Sequence, residues 1–209
     1  MQHDDAPWEP FSPGEVAERF HGLDIPWAVV GGWAIDLFLG ETTRDHEDIE
    51  IAIPRGRFGE IAERLRLEFY VPVREGHLAP LGRRPLRSIA SHQTWGLDRD
   101  VRAWRIDVLR EPSAEGDWVC RRDHGVRLPY SELIEFSADG IPYVRPEVAL
   151  LFKAKAAREK DERDLERVLP RLSPERRALL GDWVGRVHPG HAWLQRLSIG
   201  TKSRSPGPT

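Results

Sequence analysis

The sequence is poor in cysteine and in long apolar runs, and each shortage excludes a class of protein. Its 209 residues include a single cysteine, Cys120, which rules out an internal disulfide and a cysteine-based zinc cluster and fits a cytoplasmic protein. The most apolar stretch, residues 25–39, is interrupted by two glycines and Asp36 and is too short to span a bilayer, so no membrane partner is expected. The first residues lack the basic start and apolar core of a signal peptide.

Lysine is also scarce, and the chain has no excess of positive charge. Its 31 lysine and arginine residues stand against 34 aspartate and glutamate residues, which gives a net charge of −3. A protein that coats nucleic acid usually carries a basic excess, so nucleic acid is not an expected partner. What the chain does contain is 40% hydrophobic residues, which is enough to build a folded core.

Hydrophobic patterning predicts a mixed α/β region followed by a helical one. Helices are predicted over residues 12–21, 33–39 and 57–66, and strands over 27–30, 48–53 and 104–109, with further antiparallel strands within 118–143. Three more helices are predicted to begin at Pro146, Asp161 and Ser173. The domain prediction is an α/β domain over residues 1–145, a helical region over 146–198, and a disordered tail over 199–209.

The most informative segment combines a pair of glycines with two acids on a strand. Gly31 and Gly32 follow the first predicted strand and precede a helix. Glycines let a ligand approach the backbone closely, and the N–H groups at a helix start attract anions. Asp48 and Glu50 are two residues apart, so on a strand they share a face. The alternatives are an ordinary turn and a solvated strand face.

The shared face of Asp48 and Glu50 predicts a divalent cation, because two neighbouring carboxylates repel each other unless their charge is offset. Oxygen ligands with open positions suit Mg²⁺. Asp107 is the candidate third acid, because its strand also alternates, with Trp104 and Ile106 predicted on the opposite face. Three acids can hold two metal ions that bridge a triphosphate and an attacking oxygen.

Residues 31–53 resemble the signature of the nucleotidyltransferase superfamily, a glycine pair followed by an acid–apolar–acid strand. More closely, the segments 31–36, 39–40, 43–44 and 46–50 are similar to the aminoglycoside 2″-adenylyltransferase family and its lincosamide-modifying relatives. A looser similarity continues through residues 104–109 and 141–169. The resemblance implies an α/β (α+β) fold, a nucleotidyltransferase-like mixed sheet with flanking helices, followed by a helical C-terminal region.

The resemblance also implies an activity and roles for particular residues. The family transfers a nucleoside monophosphate, here expected to be AMP from ATP, to a hydroxyl of a small-molecule acceptor such as an aminoglycoside- or lincosamide-like antibiotic, and releases pyrophosphate. Asp48, Glu50 and Asp107 match its acids for two Mg²⁺ ions, and Asp107 also matches its general base. Gly31 and Gly32 match its phosphate-cradling turn. Glu50 departs from the pattern, because the antibiotic-modifying members commonly have aspartate there; the extra methylene moves the carboxylate by about 1.5 Å.

Three other side chains have alternative interpretations. Arg44 is predicted either to bind a nucleotide phosphate or to lie on the surface or pair with an acid such as Asp36. Lys153 is predicted either to neutralise the triphosphate or to pair with acids such as Asp161. His46 is expected to make a structural hydrogen bond, because Mg²⁺ prefers oxygen ligands.

The acceptor is less well defined than the nucleotide. Glu111, Glu115 and Asp117 follow the strand of the third acid, and they predict an acidic pocket that favours a cationic aminoglycoside. Trp95 and Trp104 are candidates either for acceptor contact or for core packing. Two other functions stay open: a catalytically impaired homologue that binds nucleotide as a sensor or protein partner, and a transferase that modifies a protein or RNA end. The sequence does not indicate an oligomeric state.

Overall fold

The computed structural model describes residues 6–73, 77–82 and 91–198. The chain divides into two compact units, Met1–Val144 and Arg145–Thr209. Within the described ranges, no helix is both long enough and apolar enough to cross a membrane. The predicted disordered tail over 199–209 lies outside the described residues.

The first unit is built on a mixed eight-stranded sheet. Its strands are β1 Ala28–Val29, β2 Glu50–Pro54, β3 Glu68–Pro72, β4 Leu78–Pro80, β5 Gln93–Asp98, β6 Ala103–Glu111, β10 Ile134–Phe136 and β11 Pro142–Val144. They lie in the order β10-β11-β1-β2-β6-β5-β3-β4, and β6 runs parallel to β2 and antiparallel to β5. A second, three-stranded sheet contains β7 Ser113–Ala114, β8 Asp117–Val119 and β9 Arg127–Pro129.

Helices flank the sheet of the first unit, and other helices make up the second unit. Those of the first unit are α1 Pro13–Arg19, α2 Gly31–Leu39, α3 Phe58–Leu65 and α4 Tyr130–Leu133. Those of the second are α5 Pro146–Lys153, α6 Glu159–Val168, α7 Pro174–Val187 and α8 Trp193–Ser198. Single 3₁₀ turns cover Arg55–Arg57, Ala154–Ala156 and Leu169–Arg171. The predicted fold class, a mixed sheet with flanking helices and a helical C-terminal region, is confirmed.

Short-range signals set several helix boundaries where the sequence predicts them. The Ser12 hydroxyl accepts a hydrogen bond from the Glu15 N–H, and the Glu15 carboxylate accepts one from the Ser12 N–H, which together form a capping box. The Ser173 hydroxyl caps α7 by accepting a hydrogen bond from the Arg176 N–H, with Pro174 at the first helical position. Gly40 ends α2 in the left-handed conformation, with φ of 76°.

Several boundaries differ from the prediction; α6, for example, begins at Glu159 rather than at Asp161. The helix α2 begins at Gly31 rather than after the glycine pair, because Val30 is already its N-cap. The strand β2 begins at Glu50 rather than at Asp48. The strand β1, which pairs with β2, has only two residues. The backbone hydrogen bond at the start of β2 runs from the Val30 N–H to the Glu50 carbonyl, at 2.9 Å. Asp48 therefore lies on the segment that leads into β2.

A β-bulge changes the faces of β6. Ile106 is opposite Gly96 and Trp104 is opposite Leu97, so Arg105 is the extra residue between two successive pairs. The prediction that Trp104 and Ile106 share a face is therefore wrong. The bulge turns Trp104 to the other side, where it packs with Leu97 and Tyr70.

The segment before α1 extends the sheet beyond the start of β2. Trp8 forms a parallel bridge with Trp104. The Trp104 N–H donates to the Pro7 carbonyl at 2.9 Å, the Glu9 N–H donates to the Trp104 carbonyl at 3.0 Å, and the Phe11 N–H donates to the Arg105 carbonyl at 3.0 Å. This segment holds the Trp8 side chain on the same side of β6 as Trp104.

Candidate active site

Strand pairing brings the predicted acids together. Glu50 on β2 is directly opposite Asp107 on β6, so the two side chains project from the same face of the sheet. Asp48 precedes Glu50 by two residues, and the buried Ile49 lies between them. The Asp107 N–H donates to the Ile49 carbonyl at 2.9 Å, which continues the pairing of β6 past the start of β2. The three acids therefore lie near one another along the backbone, and the charges of Glu50 and Asp48 both reach Asp107.

Asp107 is the most buried of these acids, with 3% of its surface exposed. Burial, followed by the negative charge of Glu50, raises the pKa of Asp107 to about 7. A hydrogen bond from Gln93 Nε2 to Asp107 Oδ2, at 2.8 Å, acts against this rise, and the charge of Asp48 adds to it. A carboxyl group with a pKa near neutrality suits a proton acceptor.

The donor set fits a hard divalent cation. Asp107 Oδ1 is buried and has no hydrogen-bond partner in the described part of the chain, so a cation beside it would satisfy an atom that the protein leaves unsatisfied. Carboxylate oxygens are the ligands that Mg²⁺ prefers. Among residues 6–73, 77–82 and 91–198, no three His, Cys, Asp or Glu side chains stand close enough together to hold a metal ion. Asp48 is exposed and Glu50 half-buried, so holding an ion requires these side chains to turn toward Asp107.

The two glycines make room for the side chains of the acid-bearing segment. Gly31 has φ of +67°, and a Cβ added to it would collide with Glu50 Oε2. A Cβ on Gly32 would collide with Arg44 Nη2 and lie 2.7 Å from the His46 ring. The glycine pair therefore lets the Glu50 carboxylate and the Arg44 guanidinium lie against the start of α2.

Asp36 organises the loop between α2 and β2, a role that the sequence analysis missed. It accepts hydrogen bonds from the Thr43 N–H at 3.1 Å and the Thr43 hydroxyl at 2.7 Å, and its Oδ2 lies 2.7 Å from His46 Nε2. Burial alone would raise the pKa of Asp36, but the hydrogen bonds from His46 and Thr43 outweigh it and lower the pKa. The structural hydrogen bond expected of His46 is confirmed. The sequence signal that could have revealed this role of Asp36 is an aspartate within an otherwise apolar helix.

Aromatic stacking adds to the order of this loop. The Trp33 and His46 rings stack with their centroids 4.2 Å apart. Arg44 Nη1 donates to the Asp45 carbonyl at 3.0 Å, and the pairing of Arg44 with an acid such as Asp36 stays a prediction. The loop that carries Asp48 is thus tied to α2 through buried groups.

Lys153 lies in the second unit and makes the ion pairs that were one of its two interpretations. Its Nζ is 3.0 Å from Asp161 Oδ1 and 2.9 Å from Asp164 Oδ2. All three side chains are at most 9% exposed. The other interpretation, neutralisation of a triphosphate, stays a prediction.

Comparison with known proteins identifies the fold. Residues 14–88 match the family model described as aminoglycoside-2″-adenylyltransferase. The chain also matches a solved structure of ANT(2″)-Ia in complex with adenylyl-2″-tobramycin, with a TM-score of 0.55 and 15% identity, over 83% of this chain and 95% of that one. The fold is that of a nucleotidyltransferase. The resemblance predicted from residues 31–53 is confirmed.

Other relatives agree with this nucleotidyltransferase fold. The lincosamide antibiotic adenylyltransferase LnuA, solved with lincomycin bound, matches with a TM-score of 0.52 and 16% identity, over 74% of this chain and 92% of that one. The 2″-aminoglycoside nucleotidyltransferases of Escherichia coli and Klebsiella pneumoniae are 47% identical over 38 residues. That alignment spans 18% of this chain and 22% of those curated relatives.

The acids that follow β6 in this nucleotidyltransferase fold do not form the expected acidic pocket at Glu111. Glu111 is 3% exposed and pairs with Arg121. Burial raises the pKa of Glu111, and the charges of Arg121, Arg122 and Arg55 oppose that rise. Together with burial, the surrounding arginines lower the pKa of His92 to about 4. The charge at this end of β6 is therefore predominantly positive.

Proposed function

We propose that the protein is a metal-dependent nucleotidyltransferase that transfers AMP from ATP to a hydroxyl of a small molecule, such as an antibiotic. The observation that carries this proposal is the position of Glu50 opposite Asp107, with Asp48 two residues before it and with Asp107 Oδ1 buried beside them. The family match over residues 14–88 supports it, because that segment contains the glycine pair and two of the three acids.

The proposed roles follow from position and charge. Asp48, Glu50 and Asp107 would hold Mg²⁺, which when bound offsets the charge of the triphosphate and of the pyrophosphate leaving group. Asp107 accepts the proton of the acceptor hydroxyl. As it does so, the hydroxyl oxygen forms a bond to the α-phosphorus of ATP, and the bond from that phosphorus to pyrophosphate breaks. Arg44, seated against Gly32 at the start of α2, supplies a positive charge for the phosphates.

Two other binding roles are also proposed. The N–H groups of Gly31 and Gly32 begin α2, where a helix favours negative charge, so we assign them to the triphosphate. Lys153 stays a proposed nucleotide ligand on the strength of the resemblance, and its two buried acid partners would have to share it with a phosphate.

Nucleotide binding and transfer can be tested separately. We expect ATP to bind in isothermal titration only when Mg²⁺ is present, and pyrophosphate to be released when a hydroxylated antibiotic is added. Asp48→Asn should weaken the Mg²⁺-dependent binding by about tenfold or more, because it removes a charged oxygen ligand. Asp45→Asn is the matched control, since Asp45 is an exposed acid on the same loop, and it should bind ATP as the wild type does.

The outcomes separate the candidate functions. Absence of Mg²⁺-dependent ATP binding, or equal binding by the Asp48→Asn variant, would contradict the proposed metal site. Mg²⁺-dependent binding without pyrophosphate release on any acceptor would identify the protein instead as a nucleotide-binding homologue without transferase activity.

The length of the Glu50 side chain is expected to matter. Because Glu50 Oε2 lies against Gly31, where only the absence of a Cβ leaves space, the site fits the longer side chain. Glu50→Asp withdraws the carboxylate by about 1.5 Å, and we expect kcat to fall by about 10–100-fold. Steady-state pyrophosphate release measures this. Glu47→Asp, the same change at an exposed neighbour, should have no effect, and an equal or higher kcat for Glu50→Asp would show that the glutamate is a handicap.

A further inference from the structure

Arginine side chains gather where β2 and β6 end. Arg110, near the end of β6, is directly opposite Ile53 of β2, and Arg55 comes two residues after Ile53. The Arg110 N–H donates to the His92 carbonyl at 2.8 Å, which places His92 beside the same strand end. The arginines whose charges reach His92 form what we call the arginine cluster: Arg55, Arg110, Arg121 and Arg122.

Arg110 is fully buried, and one nitrogen of its guanidinium group is unsatisfied. Its Nε donates to the Thr94 hydroxyl at 2.7 Å, and its Nη2 donates to the Ser91 carbonyl at 2.6 Å. Its Nη1 is buried and has no hydrogen-bond partner among the residues that the structure describes. Burial, followed by the charge of Arg55, lowers the pKa of Arg110. The folded protein therefore disfavours this charge and leaves one of its donors unpaired.

Arg55 brings a second unsatisfied nitrogen to the arginine cluster. Its Nε is buried and lacks a hydrogen-bond partner within residues 6–73, 77–82 and 91–198, although the residue as a whole is only half-buried. Arg57, on the same 3₁₀ turn, differs because its Nη2 donates to Glu60 Oε2 at 2.8 Å. The charge of Arg55 reaches Arg110 and His92. Arg55 is therefore directed to the end of β6, and a ligand can reach it from solvent.

The acid of this strand end is already engaged. Glu111 is 3% exposed, pairs with Arg121 and accepts a hydrogen bond from the Trp118 side chain. His92 has its pKa lowered to about 4, so near neutral pH it adds no charge and offers an imidazole that donates or accepts a hydrogen bond. The unsatisfied donors are thus those of Arg55 and Arg110.

Arg110 points away from the acids of the candidate active site. Successive residues of a strand project to opposite faces of a sheet, so Arg110, three residues beyond Asp107, projects from the face opposite to Asp107 and Glu50. Its bond to Thr94 agrees, because Thr94 pairs with Val108 and Val108 shares a face with Arg110. The arginine cluster is therefore separate from the proposed metal site.

The chemistry of these groups suits an oxyanion. A guanidinium group donates parallel hydrogen bonds to two oxygens of a phosphate or carboxylate group, and a bound oxyanion would satisfy donors that the protein leaves unpaired. Two positive charges attract a doubly charged group more strongly than a singly charged one. A phosphate group fits this requirement better than a single carboxylate.

We propose that Arg55 and Arg110 bind a doubly charged phosphate group, either the free ion or the ester of a small molecule, at the ends of β2 and β6. This site is additional to the proposed nucleotide and metal site and does not depend on it.

Isothermal titration of the full chain with inorganic phosphate tests this site, at pH 8 where phosphate is doubly charged and with a chelator present. We expect Arg55→Gln to weaken phosphate binding about tenfold, because it removes charge-assisted hydrogen bonds. Arg57→Gln is the matched control, since Arg57 lies on the same turn and is engaged by Glu60, and it should bind phosphate as the wild type does. Acetate should bind the wild type about tenfold more weakly than phosphate.

Two further measurements accompany this titration. Glycerol 3-phosphate in place of inorganic phosphate distinguishes an esterified phosphate from the free ion, according to which binds more tightly. Phosphate should also raise the Tm of the wild type, because it binds the folded state, and it should raise the Tm of Arg55→Gln less. Sodium chloride at the same ionic strength should not reproduce this difference.

Four results would overturn the inference: no phosphate binding by the wild type, equal binding by Arg55→Gln and the wild type, equal weakening by Arg55→Gln and Arg57→Gln, or acetate bound as tightly as phosphate. Arg55→Gln should leave Mg²⁺-dependent ATP binding unchanged, and a parallel loss would assign Arg55 to the nucleotide and also overturn the inference. Absence of that ATP binding in the wild type is a different observation, and it would contradict the proposed function alone.

Discussion

Asp107→Asn is expected to abolish transfer and, at the same time, to stabilise the metal-free protein. The folded state buries this carboxyl group beside Glu50, and its pKa rises to about 7 from an ordinary value of 3.8. A raised pKa means that the folded state disfavours the charged form. The wild type therefore loses stability as the pH rises from about 4 to about 7. Asparagine has no charge to bury, so the variant avoids this loss.

The gain in the free energy of unfolding of Asp107→Asn over the wild type should grow with pH. Each unit of pKa shift corresponds to about 1.4 kcal/mol, so we expect a gain on the order of 2–4 kcal/mol at pH 8 and a much smaller one at pH 5. Urea unfolding at both pH values in the presence of a chelator measures it. The transfer rate should fall by about 10²–10⁴-fold, the usual contribution of a positioned proton acceptor.

Asp48→Asn is the control for charge removal. Asp48 is exposed, so its loss should impair the Mg²⁺-dependent reaction without a comparable gain in stability. If Asp107→Asn were less stable than the wild type at pH 8, Asp107 would be a structural residue, and its assignment as metal ligand and proton acceptor would fail.

Glu147→Ala is expected to destabilise the second unit by about 3–5 kcal/mol. The Glu147 side chain is fully buried between two arginines, with Arg145 Nη2 at 2.9 Å from Oε1 and Arg176 Nη2 at 2.8 Å from Oε2. It connects the start of α5 to the start of α7. Removing it leaves two guanidinium groups facing a site without a counter-charge, which costs far more than an exposed ion pair.

The destabilisation caused by Glu147→Ala has a defined pH dependence. Burial alone would raise the pKa of Glu147, but the hydrogen bonds from Arg176 and Arg145 outweigh it and hold the pKa below its ordinary 4.5. The carboxylate therefore stabilises the wild type above about pH 4.5, and this contribution is lost as the pH falls below that value. Urea unfolding at pH 7 and at pH 4 should show a smaller difference between variant and wild type at the lower pH.

Glu159→Ala is the matched control for Glu147. Glu159 pairs with Arg163 on the surface of α6, with 84% of its side chain exposed, and such pairs contribute little to stability. A similar loss from both substitutions would contradict a strong stabilising contribution from the pairs that Glu147 makes with Arg145 and Arg176.

Sequence alone predicted the features that depend on residues close together in the chain. The capping box of Ser12 and Glu15 and the αL glycine at position 40 act over three or four residues, so local residue types alone indicate where α1 begins and where α2 ends. Alternation around Ile51 predicted a strand with acids on one side. It also pointed to Asp107 on a second alternating strand, and the structure places that residue opposite Glu50.

Features that depend on distant contacts were missed. The bulge at Arg105 lies where β6 pairs with β5 on one side and with the segment before α1 on the other, and no local pattern shows it. The neutralisation of Glu111 by Arg121 requires the end of β6 to meet the turn that follows β8. The expected contribution of Glu111 to an acidic pocket failed for that reason, because it counted charges along the chain and not across it; the contribution of Glu115 and Asp117 stays a prediction.

The short extended segment around Trp8 gives the start of β6 a neighbour from outside the helices and strands that carry the acids. Its backbone hydrogen bonds reach Trp104 and Arg105, three and two residues before Asp107 on the same strand. A bulky tag fused ahead of this segment would therefore be placed close to the strand that holds Asp107, and a tag at the other end of the chain would avoid that interference.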